Sequence, residues 1–130
     1  MEMEIRFPGG KRVDAAYKGF VIRTDQPEAS GGENSAPSPF DLFLASLGTC
    51  SGYYVLAFLD RRGISTDGVS LRLSATRDAS HRISRVDIRV HLPREFPEEY
   101  VEACVRSANQ CAVKAHLEAP PAVLVSAERS

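Results

Sequence analysis

Between Asp41 and Asp60 the chain carries no charged side chain, and the run LFLASLGTCSGYYVLAFL is bracketed by signals that start and stop a helix. Ser38 is placed to cap the N-terminus, Pro39 to occupy the first helical position, and Asp41 to reach back toward the cap. At the other end Arg61 and Arg62 oppose the negative end of the helix dipole, and Gly63 supplies a left-handed C-cap. These signals predict a helix of about 25 residues, roughly 37 Å long at 1.5 Å per residue. That is more than a domain of 130 residues ordinarily needs, so the helix is expected to run through the centre of the fold. The run is just long enough to cross a bilayer. However, Ser46, Gly48, Thr49, Ser51, Gly52, Tyr53 and Tyr54 give it too much polarity, and the expectation is a helix buried in protein, with no membrane as partner.

The rest of the chain alternates in period and punctuation. The N-terminal part reads as a three-stranded antiparallel meander: EMEIRF, RVDAAY and FVIRT, separated by Pro8-Gly9-Gly10 and Lys18-Gly19. The stretch DQPEASGGENSAPSP has little to bury and reads as an exposed loop, of a length that often lies near function. After the long helix, VSLRLSAT and RVDIRVHL place Val69, Leu71, Leu73 and Ala75, then Val86, Ile88, Val90 and Leu92, on one face each. Pro97 then opens a helix predicted to continue through HLEA, with Glu98 and Glu99 in its first turn. PAVLVSAE reads as a short closing strand. The order βββ-α-ββ-α-β, with no repeat and no linker, is that of a single α+β domain over residues 1–130.

A net charge of −1, made of interspersed acids and bases, gives no electrostatic reason to expect a nucleic acid partner. The start, MEMEIRFPGG, carries glutamates where a secretory leader would be basic, so a cytoplasmic location is expected. In that compartment three cysteines do not form a structural disulfide framework; they are packing residues or redox groups.

Cys50 sits in GTCSG, a Gly-x-Cys-x-Gly pattern that mimics a nucleophile elbow. An elbow needs a strand entering a sharp turn, and Cys50 lies about twelve residues inside a helical pattern. Gly48 and Gly52 are instead read, with Ala45, as a groove for close packing. On the next helix Val101, Cys104, Ala108, Cys111 and Ala115 form one stripe, which makes Cys104 and Cys111 core-facing. A metal site is not expected: no Cys-x-x-Cys is present, Cys111 and His116 fall on different helical faces, and His81 and His91 read as solvated. No cofactor is expected either. What the residues leave open is thiol redox chemistry against plain packing of a buried helical cysteine.

The run APSPFDLFLASLGTC, followed some sixty residues later by CAVKAHL, resembles the OsmC/Ohr family, with the nearest likeness to its YhfA-like branch. The resemblance implies an OsmC-like α+β fold in which antiparallel sheets surround two central helices of an intertwined homodimer. It implies a thiol-dependent peroxidase acting on organic hydroperoxides in stress defence, with Cys50 as the attacking thiol, Cys111 as the resolving one, and an external dithiol as reductant. Cys104 has no counterpart in the pattern and reads as packing. Where active hydroperoxide reductases carry a glutamate after the helix-start proline, this chain has Phe40, and where a proline follows the second cysteine it has Ala112. Cys50 lies too deep in its own helix for that helix's dipole to lower its pKa, so a cation is expected to do so. The family pattern points to Arg12, after the double glycine, with Lys11 and Arg23 as neighbours. Phe40 also motivates a second expectation: a dimeric binding protein without turnover, whose pocket is lined by Phe40, Phe43, Tyr53 and Tyr54.

Overall fold

In a computed structural model, which describes residues 1–129, the chain is mixed α+β with antiparallel strands and clusters into two compact units, residues 1–45 and 46 onward. The first unit is the predicted meander. Strands β1 (Glu4–Gly9), β2 (Arg12–Tyr17) and β3 (Phe20–Thr24) pair in the order β1-β2-β3, all antiparallel. Lys18 and Gly19 both have positive φ, 47° and 81°, the two-residue geometry that matches the twist of a hairpin.

The polar loop after β3 is ordered by one carboxylate. Asp25 is 1% exposed and accepts hydrogen bonds from the backbone N–H groups of Gln26 (2.7 Å), Ser35 (3.0 Å) and Glu33 (3.3 Å), and from the Ser35 hydroxyl at 2.5 Å. The chain therefore folds back on itself between 25 and 35. A Cβ at Gly32 would lie 2.0 Å from the Gln26 carbonyl oxygen, so no larger residue fits there without moving the backbone.

Helix α1 (Pro39–Arg61) begins and ends as the sequence signals require. The Ser38 hydroxyl accepts the N–H of Asp41. At the far end Gly63, at φ 63°, donates to Asp60 and Ile64 donates to Leu59, the paired bonds of a Schellman cap. By length and composition alone α1 could cross a membrane. It buries one stripe, Leu47, Ser51, Val55, Phe58 and Leu59, and leaves Phe40, Tyr53 and Leu56 exposed on other faces.

In the second unit β4 (Ser70–Arg77) and β5 (Ile83–His91) form an antiparallel hairpin in which Leu71 faces Val90 and Leu73 faces Ile88. Val55, Phe58 and Leu59 of α1 pack with Phe96 and Cys104 into the core, against the partly buried Leu71, Val90, Tyr100 and Val101. The two glycines of α1 differ. A Cβ at Gly48 would make ordinary contact with Leu73 of β4 at 3.5 Å, whereas one at Gly52 would meet nothing within 4 Å.

Two elements depart from the sequence reading. The predicted second helix is two helices, α2 (Val101–Ala108) and α3 (Ala112–Glu118). Asn109 and Gln110 end α2 with tightened bonds back to Arg106 and Ser107, and Cys111 is extended, with φ −54° and ψ 120°. The Lys114 ammonium donates to the Asn109 side chain at 2.8 Å and straps the break. Periodicity missed it because Cys111 is buried on both accounts, as a stripe residue or as a cap. The closing strand also does not form. Residues 119–129 have no regular structure, and Val123, Leu124 and Val125 are each more than 80% exposed. A β-prone run needs a sheet edge to pair with, and Pro120 and Pro121 cannot donate to one.

Candidate thiol site

The break in the second helix sets the start of α3 against sulfur. A helix exposes its first N–H groups without intrahelical acceptors, and the first turn of α3 is placed against sulfur. Cys111 is the N-cap, and its Sγ accepts the backbone N–H of Lys114 at 3.4 Å. The sulfur of Cys50 accepts the N–H of Val113 and, more weakly, that of Ala112. Ala115 then makes the first intrahelical bond, to the Cys111 carbonyl at 3.1 Å. The free donors of Ala112, Val113 and Lys114 all point to the two thiols.

The Cys111 thiol has two acceptors within reach for its one proton, the Leu47 carbonyl of α1 at 3.8 Å and the Cys50 sulfur. The site thus brings Cys50 of α1 and Cys111 of α3 together within one chain, both as free thiols. The Val113 N–H is the main reason the Cys50 pKa falls below that of an ordinary thiol. Burial works against it, and the Cys111 thiol and Ala112 N–H add to the lowering. Cys50 is half-buried, whereas Cys104 is fully buried in the core, where burial alone pushes its thiol up. The two thiols are thus shifted in opposite directions, Cys50 down and Cys104 up.

The sequence alone predicts a cation near Cys50; among the described residues the groups that lower its pKa are the Val113 and Ala112 N–H groups and the Cys111 thiol, donors at the start of a second helix. Reading residues 97–119 as one helix hid it, because a helix interior has no N–H to spare. The chain lacks the mark that would have shown it: Ala112 occupies the first helical position, where a proline would signal a helix start. Arg12 lies in the N-terminal unit at the start of β2, exposed, with its Nε donating to the Gly9 carbonyl at 3.2 Å. Lys11 and Arg23 are exposed in the same unit.

Of the four expected pocket residues, Phe40 and Phe43 stack on each other in the first turns of α1, with ring centres 5.4 Å apart. Tyr53 and Tyr54 pack edge to face at 5.4 Å and border a cleft of about 360 Å³ between α1 and α2. No group of three or more His, Cys, Asp or Glu side chains gathers to hold a metal ion among the described residues.

The family model described as OsmC-like protein matches residues 32–126. No protein of curated function matches the chain. Among solved structures, an osmotic stress induced and detoxification response protein of Psychrobacter arcticus 273-4 superposes with a TM-score of 0.74 at 23% identity, covering 87% of this chain and 85% of that one. A protein of Aquifex aeolicus VF5 gives 0.70 at 20% identity over 92% and 87%. An organic hydroperoxide resistance protein of Legionella pneumophila gives 0.60 at 20% identity over 90% and 89%. These likenesses establish the fold.

Proposed function

The chain belongs to the OsmC-like protein family, and from that premise we propose that it is a thiol peroxidase that reduces organic hydroperoxides with Cys50 and Cys111. What carries the reading is the placement of two free thiols together: the Cys111 sulfur lies 3.8 Å from the Leu47 carbonyl, one turn before Cys50, and the Val113 N–H and the Cys111 thiol both lower the Cys50 pKa. The name of the Legionella pneumophila structure, an organic hydroperoxide resistance protein, supports the choice of oxidant class.

The ionised Cys50 attacks the terminal oxygen of a hydroperoxide. A sulfur–oxygen bond forms, the O–O bond breaks, and the alkoxide leaves and takes up a proton to become the alcohol. Cys50 is then a sulfenic acid. Cys111, deprotonated as its sulfur approaches, attacks the Cys50 sulfur; the S–S bond forms and the sulfenic oxygen departs as water. An external dithiol reduces the disulfide by exchange and restores both thiols. Per cycle one hydroperoxide becomes one alcohol and one water, and the reductant loses two electrons. A reducing cytoplasm suits a pair that must be reset in this way. Arg12 is proposed as the cation that steadies the developing charge.

The working form is proposed to be a homodimer. Val123, Leu124 and Val125 lie open to solvent beside two prolines, and Ile5, Phe7 and Phe20 are exposed on the N-terminal sheet, an apolar display that a second copy would cover. Mixing reduced protein with cumene hydroperoxide and a dithiol tests the chemistry. The reading requires peroxide consumption that is abolished in Cys50→Ser, and undiminished turnover in that variant refutes it. Sedimentation equilibrium tests the dimer, and a monomer at micromolar concentration refutes that part alone.

A further inference from the structure

The cleft between the C-terminal half of α1 and α2 has a composition that the thiol chemistry does not require. Three guanidiniums border it: Arg61 in the last turn of α1, Arg62 just beyond, and Arg106 on α2. Arginine at a helix C-terminus is ordinarily explained by the dipole. Here the Leu59 carbonyl is already satisfied by the N–H groups of Arg62 and Ile64, the Asp60 carbonyl by Gly63, and the Phe58 carbonyl by Arg62, so none of these needs Arg61 or Arg106. Among the described residues Arg61 forms no ion pair, and Arg106 pairs with Glu102 alone, at 4.0 Å, with both side chains largely exposed. An exposed pair at that distance is worth little. Arg62 is ordered differently: its guanidinium stacks 3.8 Å from the Phe58 ring centre and 5.3 Å from that of Tyr100, and it donates to the Phe58 carbonyl at 3.4 Å. The cleft therefore holds positive charge in excess of its acids, with one guanidinium fixed in place.

The same cleft has an aromatic side. Tyr53, Tyr54 and Phe58 border it, and its volume of about 360 Å³ lies in the range of small-molecule pockets. We propose that this cleft binds a small organic carboxylate carrying an aromatic or apolar body. The carboxylate takes the planar donors of Arg61 and Arg106, which suit two-point pairing, and the body lies along the tyrosines. Inorganic anions would leave the aromatic side unused, and neutral ligands would leave the guanidiniums unanswered. The cleft adjoins the thiols: Tyr54 follows Cys50 by one helical turn on the same side, and Gln110, at the cleft wall, directly precedes Cys111.

Binding is read on reduced protein without any oxidant, so the result is independent of the peroxidase reading. The probe is 4-phenylbutyrate, titrated calorimetrically beside 4-phenyl-1-butanol and inorganic phosphate. The expected result is binding of phenylbutyrate about tenfold tighter than either comparison, weakened by added salt. The double variant Arg61→Ala/Arg106→Ala changes only exposed side chains, and it should lower phenylbutyrate to the affinity of the alcohol while its circular dichroism stays unchanged. The single charge reversal Arg106→Glu should lower affinity in the same direction. Acid and alcohol binding alike, phosphate binding as tightly as phenylbutyrate, no binding of phenylbutyrate, or full affinity in the variants would each overturn the proposal.

Discussion

The backbone N–H of Val113, in the first turn of α3, is the chief group that draws the Cys50 thiol of α1 below the ordinary thiol pKa. Proline at position 113 deletes that donor at a point where a helix tolerates proline. Val113→Pro should raise the Cys50 pKa and slow its alkylation at neutral pH by about tenfold, in line with the loss of one hydrogen bond to a charged acceptor. Ala112→Pro removes only the weaker donor and should change the rate much less. The pH profile of iodoacetamide labelling, followed by peptide mass spectrometry, measures both, and equal effects of the two variants would contradict the assignment.

Replacing Cys111 separates its two parts. Serine is among the best N-cap residues, so Cys111→Ser should keep α3 while removing the resolving thiol. After one equivalent of hydroperoxide the variant should hold a Cys50 sulfenic acid that dimedone traps, with turnover by a dithiol at least tenfold below wild type. Disulfide formation in this variant would instead implicate Cys104, against its burial in the core.

Asp25 makes the fold's acid limit predictable. Chiefly the Ser35 hydroxyl, then the N–H groups of Ser35 and Gln26, hold its carboxyl at about 2, below the usual 3.8. A depressed carboxylate stabilises the fold fully above its unfolded value, and that contribution is lost as pH falls from about 4 through 2. Asp25→Asn should lower the thermal midpoint at neutral pH by several degrees and flatten the loss of stability between pH 4 and 2. Circular dichroism melts across that range decide it, and a variant with wild-type acid sensitivity would refute it.

Three glycines test the packing. Gly32→Ala places a carbon against the Gln26 backbone and should prevent the loop from closing, with loss of soluble protein or a large fall in midpoint. Gly48→Ala meets Leu73 at an ordinary distance, and alanine is favoured in a helix by about 1 kcal/mol, so it should be neutral or stabilising. If Gly52→Ala, which meets nothing within its own chain, weakens the protein, another molecule occupies that groove. Chemical denaturation of the three variants gives the order.

Much of the fold could be read from the residues because its signals are local. Ser38, Pro39 and Gly63 mark α1 by capping chemistry, and Leu71, Leu73, Ile88 and Val90 mark the β4–β5 hairpin by alternation. What escaped was decided by tertiary contacts. Cys111 could be a stripe residue or a cap, and only its bonds to Leu47, Lys114 and Cys50 choose between them. Val123 to Val125 have the composition of a strand, but strand formation depends on an edge the run does not carry with it. Of the site, Cys50 and Cys111 were named from the family resemblance, whereas the donors of Ala112 and Val113 are backbone groups with no residue signature except the helix start they belong to.

The central claim is that Cys50 and Cys111 of one chain form a working pair. Adding one equivalent of cumene hydroperoxide to reduced protein, then alkylating and mapping peptides by mass spectrometry, tests it most directly. The account predicts loss of two thiols per peroxide and a Cys50–Cys111 disulfide, with Cys104 still alkylated once the protein is unfolded. All three thiols left free, or a disulfide that includes Cys104, would contradict it.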